Sequence, residues 1–337
     1  MKKTDRILMA HGSGGLMSQN LIDQLFKKAM NNPYLDPMLD GAVLDLPPGR
    51  AVMSTDSFVI TPLFFPGGDI GKLAVCGTVN DLVACGAEPL YLSNAFIIEE
   101  GFPLADLRKI VESMAATADR AGVKLVTGDT KVVEKGSADG LFINTSGIGV
   151  IPAGIDYRPN RLMPGDELIV TGPVGDHGLA ILAQREGLRF ATPAVSDCAP
   201  LHLLGRLMQE FGQDVKCMRD PTRGGLATVL NEIAGQANLG IRVIEELIPV
   251  SQIVQGACDM LGLDPLYMAN EGKMVVFVKK GRGSAVLDVL RRSEEFANAA
   301  IIGEVLEQPA GMVLIETGLG AERILGILEG EHVPRIC

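Results

Sequence analysis

Apolar positions along the chain recur with two periods, and the changes of period predict an alternation of helices and strands. Between Leu104 and Ala121, residues Leu107, Ile110, Val111, Met114, Ala115 and Ala118 fall on one face of a 3.6-residue repeat. That pattern predicts an amphipathic helix. Leu21, Ile22, Leu25 and Phe26 make a shorter stripe, with Ser18 placed to cap the helix that carries it. Ala51–Ser57, Val123–Val126 and Leu141–Val150 read as strands, and residues 31–50, rich in Pro, Asp and Gly, as loop with a short strand. Ile70–Cys85 alternates glycine with apolar residues, which suits either a helix or a strand pressed against another backbone.

Pro152, Pro159 and Pro164 punctuate residues 152–165 and mark a domain junction. Beyond it the pattern predicts strands over Asp166–Thr171, Met274–Val278, Ala300–Val305 and Met312–Glu316. Helices are expected up to about Arg185, over Ala199–Phe211, after Gly224-Gly225-Leu226 up to Ala234 and over Ala285–Arg292. The divisions expected are a glycine-rich segment and helix (1–40), a first domain (41–155), a second domain (156–316) and a mobile tail (317–337).

The length of 337 residues suits two domains with ample core. A net charge of −11 argues against non-specific nucleic-acid binding and against an anionic membrane surface. A polyanion held locally by backbone amides and a metal ion stays compatible with it. Ile7–Ala10 is too short for a signal-peptide core, and no run of about 18 apolar residues exists to span a membrane. Six scattered cysteines without a C-x-x-C pair point to a cytoplasmic chain with reduced thiols and no zinc site.

The candidate chemistry sits at the joints between elements. His11-Gly12-Ser13-Gly14-Gly15 precedes a helix and could aim several N–H groups at an anion, or could be a flexible linker. It lacks the Gly-Lys-Ser/Thr of a Walker loop. Gly224-Gly225-Leu226 echoes Gly14-Gly15-Leu16. Gly172–Gly178 departs from G-x-G-x-x-G, so no dinucleotide site is read there, and His177 is read as a turn or capping residue. Asp56, Asp81, Asp129, Asp220 and Glu271 each stand beside Gly, Asn, Thr, Ser or Arg. Singly, each is explained by turn-making. Together with two Gly-Gly loops they suit a Mg²⁺–nucleotide, since magnesium takes a few carboxylates plus phosphate oxygens. Lys131, two residues after Asp129, could neutralise a transferring phosphoryl group. The chain ends on Cys337. Pro334 favours an extended end, and Arg335 could accompany a thiolate or carboxylate. A thiol at the tip of an arm can carry a covalent group between sites; a frayed end that happens to carry a cysteine is the structural alternative.

Along its whole length the chain resembles the HypE family of hydrogenase maturation proteins, in the superfamily of aminoimidazole ribotide synthetase, selenophosphate synthetase and thiamine-phosphate kinase. The resemblance is carried by His11–Gly15, Ser54-Thr55-Asp56, Gly77–Asp81, Thr127–Lys131, Asp220–Leu226, Asn270–Lys273 and the closing Pro334-Arg335-Ile336-Cys337. It implies an α+β, two-domain aminoimidazole ribotide synthetase-like fold, an N-terminal domain that forms a dimer β-barrel, and a flexible C-terminal tail. It also implies an ATP-dependent carbamoyl dehydratase acting on its own tail. A HypF-type carbamoyltransferase would load Cys337, ATP would drive dehydration to an S-cyanate, and a HypC–HypD iron scaffold would receive the cyano group. On that basis Glu271 is the expected base, with Asp81 second, and Lys131 the expected partner of the γ-phosphate. Asp56, Asp81, Asp129 and Asp220 are expected at Mg²⁺. Gly12, Ser13, Gly14, Gly15, Asp56, Asp129, Thr130, Gly224 and Gly225 are expected at the nucleotide. The rival readings are a small-molecule kinase or synthetase of the superfamily with an incidental tail, and a carrier or scaffold without ATP chemistry.

Overall fold

Ile70–Ala84, the stretch that alternates glycine with apolar residues, is a helix, and both domains pack on it. Asp69 caps it, accepting hydrogen bonds from the N–H groups of Gly71 (2.7 Å) and Lys72 (3.1 Å). Thirteen of its 15 residues are buried, as expected of a helix apolar on all sides. Its glycines let neighbouring backbones approach: a Cβ on Gly71 would lie 2.4 Å from the carbonyl oxygen of Ile110. The structure is a computed structural model that describes residues 5–37, 39–327 and 335–337.

The first domain is a four-stranded sheet in the order Arg50–Phe58, Leu141–Ile151, Glu88–Glu99, Lys124–Val133. The first two strands run antiparallel in register from Arg50↔Ile151 to Phe58↔Ile143. The last two are parallel and joined by the helix Leu104–Ala121, whose buried face holds Leu107, Ile110, Val111, Met114, Ala115 and Ala118, as the periodicity predicts. This helix and Ile70–Ala84 cover one face of the sheet. The other face carries Met53, Thr55, Ser146 and Ile97, with Met53 70 % exposed. Among the described residues the sheet is open, with no closed barrel; Arg50–Phe58 and Lys124–Val133 are its two edges.

The second domain is a seven-stranded sheet in the order Glu322–Ile324, Val313–Glu316, Gly240–Ile244, Ala300–Leu306, Glu167–Val170, Val275–Val278, Val215–Arg219. Leu204 and Met208 of the helix His202–Glu210 join Val79 and Val83 of the Ile70–Ala84 helix in one continuous core, so the cleft between the domains has a rigid floor.

Several expectations change. Ser18 is not the cap: the helix starts at Leu16 with Gly15 as its N-cap, and the Ser18 hydroxyl accepts the Gly14 N–H at 3.0 Å. No strand forms within 31–49 among the described residues. The strand expected over Val123–Val126 runs from Lys124 through Thr127–Lys131 to Val133. The strand Glu88–Glu99, unpredicted, is central. Pro89 at its start removes a ladder donor, and the register shifts between Pro89 and Tyr91. In the tail, Glu322–Ile324 is an edge strand and Leu325 is buried. Residues 328–334, including Pro334, lie outside the described residues. Arg335–Cys337 are anchored rather than free.

Candidate active site

A cavity of about 550 Å³ opens between the two domains. Four of the five candidate acids, and Cys337, reach it from different elements. Asp56 comes from the last third of the edge strand Arg50–Phe58, and Asp81 from the helix Ile70–Ala84. Asp220 follows the strand Val215–Arg219, Glu271 precedes the strand Val275–Val278, and Cys337 ends the chain. The Asp56 and Asp81 carboxyls are within hydrogen-bonding reach of each other, and Ser54 donates its hydroxyl to Asp81 at 2.6 Å.

Glu271 is only 3 % exposed, and its backbone is fixed from three sides. Its N–H donates to Asp197 (3.1 Å), and its carbonyl accepts from Asn80 (3.3 Å) and from the Ala199 N–H (3.3 Å). The Asp197 carboxylate also takes the Gly272 N–H and pairs with Lys273 at 3.2 Å. Asn80 in turn accepts the Leu201 N–H at 2.7 Å. These amides and the carboxylate prevent the Glu271 loop from relaxing away from the cavity.

Electrostatically the cavity is overloaded with negative charge. Burial, and then the Asp81 charge, raise Asp56 to about 6. Burial and Asp81 raise Asp220 to about 7. Burial, then Cys198 and the neighbouring acids, hold Glu271 well above the usual carboxylate range. Burial and Glu271 push the Cys337 thiol up to about 12. The cations in the wall are Arg219 and Arg223. Such a site favours whatever brings positive charge to it. Because Asp220 has a folded pKa above its unfolded value of 3.8, its ionisation costs stability as pH rises through about 7. Asp220→Asn is therefore expected to raise the melting temperature of the nucleotide-free protein at pH 8 by about 2 °C and to leave it unchanged below pH 4. Thermal unfolding at the two pH values checks this.

The docked tail closes one side of the cavity. The Val59 N–H donates to the Cys337 carbonyl at 3.2 Å. Arg335 donates to the Val59 carbonyl (3.1 Å) and pairs with Asp139. His177 lies 2.8 Å from the Ile336 carbonyl through Nε2.

Gly12, Gly14, Asp129, Thr130 and Lys131 instead line a second cavity of about 330 Å³, with His11, Asn94 and Gly128. Here Lys131 pairs with Asp129 at 2.9 Å, and that contact holds the Asp129 carboxyl below its usual range. Within one chain, then, Asp129, Thr130 and Lys131 are not gathered with Asp56, Asp81, Asp220 and Glu271. Ser13 and Gly15 line neither cavity. Gly224 and Gly225 serve the backbone: φ is +71° and +62°, Gly224 is the N-cap of Gly225–Ala237, and Thr222, Arg223 and Thr228 face the cavity instead. Among the described residues no three His, Cys, Asp or Glu side chains are grouped to hold a metal by themselves. The raised carboxyls of Asp56 and Asp220 nonetheless fit a divalent cation whose remaining ligands are phosphate oxygens and water.

Three residues lacked an assigned role in the sequence, and a fourth, His177, was assigned only a turn or cap, whereas Gly175 is the N-cap of its helix. Arg219 and Arg223 are the cavity's cations, Asp197 and His177 its anchors. The arginines flank Asp220-Pro221-Thr222 and could have been found from that; Asp197 and His177 leave no local signal.

The arrangement can accept a proton beside a thiol and offers cations to an anionic ligand. Residues 38–151 match the family described as AIR synthase related protein, N-terminal domain, and residues 163–316 its C-terminal domain. The chain is 51 % identical over 329 residues to a carbamoyl dehydratase HypE of Azotobacter vinelandii, covering 98 % of this chain and 96 % of that one. It is similar to the crystal structure of hydrogenase maturation protein HypE in complex with ATP: TM-score 0.94, 49 % identity, 98 % of this chain and 99 % of that one. It is also similar to a chain of the HypE–HypF complex: TM-score 0.81, 50 % identity, 91 % and 99 % covered.

Proposed function

Since the chain belongs to the HypE family of carbamoyl dehydratases, we propose that it dehydrates an S-carbamoyl group on its own Cys337 to an S-cyanate, driven by ATP. The observation that carries this reading is that Cys337, the last residue, shares one cavity wall with Glu271, Asp56, Asp81 and Asp220.

The carbamoyl oxygen is a poor leaving group. Transfer of the γ-phosphoryl group to it, with loss of one of the two N–H protons to solvent, gives an S-bound imidate phosphate and ADP. Loss of the N–H proton then forms the nitrile as the C–O bond breaks and phosphate leaves. Glu271 accepts that proton; its burial and raised affinity for protons support this role. Arg219 and Arg223 face the phosphates. Asp56, Asp81 and Asp220 would contribute ligands to Mg²⁺ beside phosphate oxygens and water, and the ion would screen phosphate charge. Tethering replaces separate substrate binding by proximity.

The expected test result is loss of one water from the carbamoylated C-terminal peptide, read by mass, only when Mg²⁺–ATP is present. A carbamoyl group that survives while ATP is hydrolysed would favour a free-metabolite kinase instead.

The reading includes a homodimer. If the two sheets close about a two-fold along the barrel axis, unlike edges pair, and the Lys124–Val133 strand of one copy meets Arg50–Phe58 of the other. That would bring Asp129, Thr130 and Lys131 from the second copy towards Asp56, uniting the divided acids at one nucleotide. The uncovered face with Met53 and Ile97 supports this. Met53→Arg is expected to give a monomer by light scattering, and to weaken ATP binding at least about tenfold. A monomer with full ATP affinity would show that one chain suffices. The HypE–HypF complex supports a HypF-type donor for the carbamoyl group. A HypC–HypD iron scaffold is the proposed acceptor of the cyano group.

A further inference from the structure

The helix Asp176–Glu186 contributes two side chains to the docked tail, eight residues apart and so on nearby faces. The first is His177, fully buried. Its Nδ1 lies 2.7 Å from the Ser196 hydroxyl, and that oxygen already accepts the Cys198 N–H at 3.0 Å. The Ile336 carbonyl can only accept, so Nε2 of the neutral imidazole must donate to it, and Nδ1 accepts the serine proton. The imidazole proton is then on Nε2 and points at the Ile336 carbonyl, 2.8 Å away. The Phe65 ring stands edge-on to the imidazole at 5.5 Å between centroids and limits its rotation. The second side chain is Arg185, which donates to the carbonyls of Arg335 and Thr61. One guanidinium thus ties the tail to the segment that follows the first-domain edge strand.

We propose that His177 and Arg185 are a latch that holds Arg335 and Ile336, and thereby sets how much of the time Cys337 spends beside Glu271. Neither residue lines the cavity wall with Cys337; both are positioning residues. The latch grips backbone carbonyls, not the thiol. It therefore holds a free tail and a carbamoylated tail alike, and it must be released each time a partner reaches Cys337. The inference rests on the proposed function for its purpose, but the contacts themselves are independent of the chemistry.

The test is alkylation of the native, nucleotide-free protein by iodoacetamide, with each cysteine followed by peptide mass. Exposed Cys85 is the internal standard, and buried Cys76 and Cys198 report on the fold. Cys337 is expected to react more slowly than Cys85 in the unaltered protein. In His177→Ala it is expected to react about tenfold faster, the loss that one buried hydrogen bond accounts for, with Cys76 and Cys198 still protected. His177→Gln, whose amide can donate to the same carbonyl, should recover most of the protection. Arg185→Ala, at a half-buried site, should accelerate Cys337 a few-fold. If neither alanine variant changes the Cys337 rate while Cys76 and Cys198 stay protected, there is no latch. If His177→Ala exposes all the thiols, the Arg185→Ala result decides alone. On the carbamoylated protein, the single variants, still mostly docked, should keep near-normal single-turnover dehydration, and the double variant His177→Ala/Arg185→Ala should slow it a few-fold with the KM for ATP unchanged. Faster alkylation with no dehydration even in the unaltered protein would keep the latch and overturn the functional reading.

Discussion

Glu271→Gln is expected to lower single-turnover dehydration of carbamoylated Cys337 by about 10²–10⁴-fold, the range that removal of a positioned general base costs. The substitution keeps shape and keeps the backbone bonds to Asp197, Asn80 and Ala199, which do not involve the side chain. ATP binding should therefore survive. The pH profile supplies an independent sign. Burial raises the pKa of Glu271, so the carboxylate is scarce at low pH and becomes available as pH rises. A base must be ionised to work, so the wild-type rate should climb with pH through that pKa. In Glu271→Gln the climb should vanish. A variant that turns over at the wild-type rate, with the same pH limb, would move the base to Asp81.

The second large effect is on the fold. Gly225 has φ +62°, and a Cβ there would lie 2.6 Å from the carbonyl oxygens of both Leu266 and Met268. A left-handed alanine costs about 1–2 kcal/mol, and overpacking against two backbones adds about 1–3 kcal/mol. Gly225→Ala should thus lower the melting temperature by about 5–15 °C. It should also impair catalysis, because this contact fixes the Asp220–Arg223 segment relative to the loop that leads into Glu271. Gly187 is the control: its φ is +64°, and a Cβ there would meet nothing within 4 Å. Gly187→Ala should show the backbone cost alone, about 1–2 kcal/mol. Equal losses in the two variants would mean that the packing at Gly225 is unimportant.

How much was legible in the sequence follows the reach of each signal. Leu104–Ala121 was legible because its periodicity is complete within the element. Asp56, Asp81, Asp220 and Glu271 were legible because an acid beside Gly, Asn, Thr, Ser or Arg near the end of a strand or helix is a local pattern. The separation of Asp129 and Lys131 from that set was not, since it depends on the sheet order, which puts Lys124–Val133 at the opposite edge from Arg50–Phe58. His177 was read as a turn residue because its partner Ile336 lies 159 positions away. Asp197 is likewise 74 positions from Glu271. Long-range hydrogen bonds leave no periodicity behind.

The docked thiol has a consequence for how the protein survives between reaction cycles. Cys337 is held where burial and Glu271 push its pKa up to about 12, so almost none of it is thiolate at neutral pH. Thiolate is the form that peroxides and small disulfides attack. A cysteine at a chain terminus would ordinarily be the first to oxidise. Docking thus disfavours the oxidisable form of Cys337, and on the proposed function the pocket that receives the loaded tail is also the sheath of the empty one.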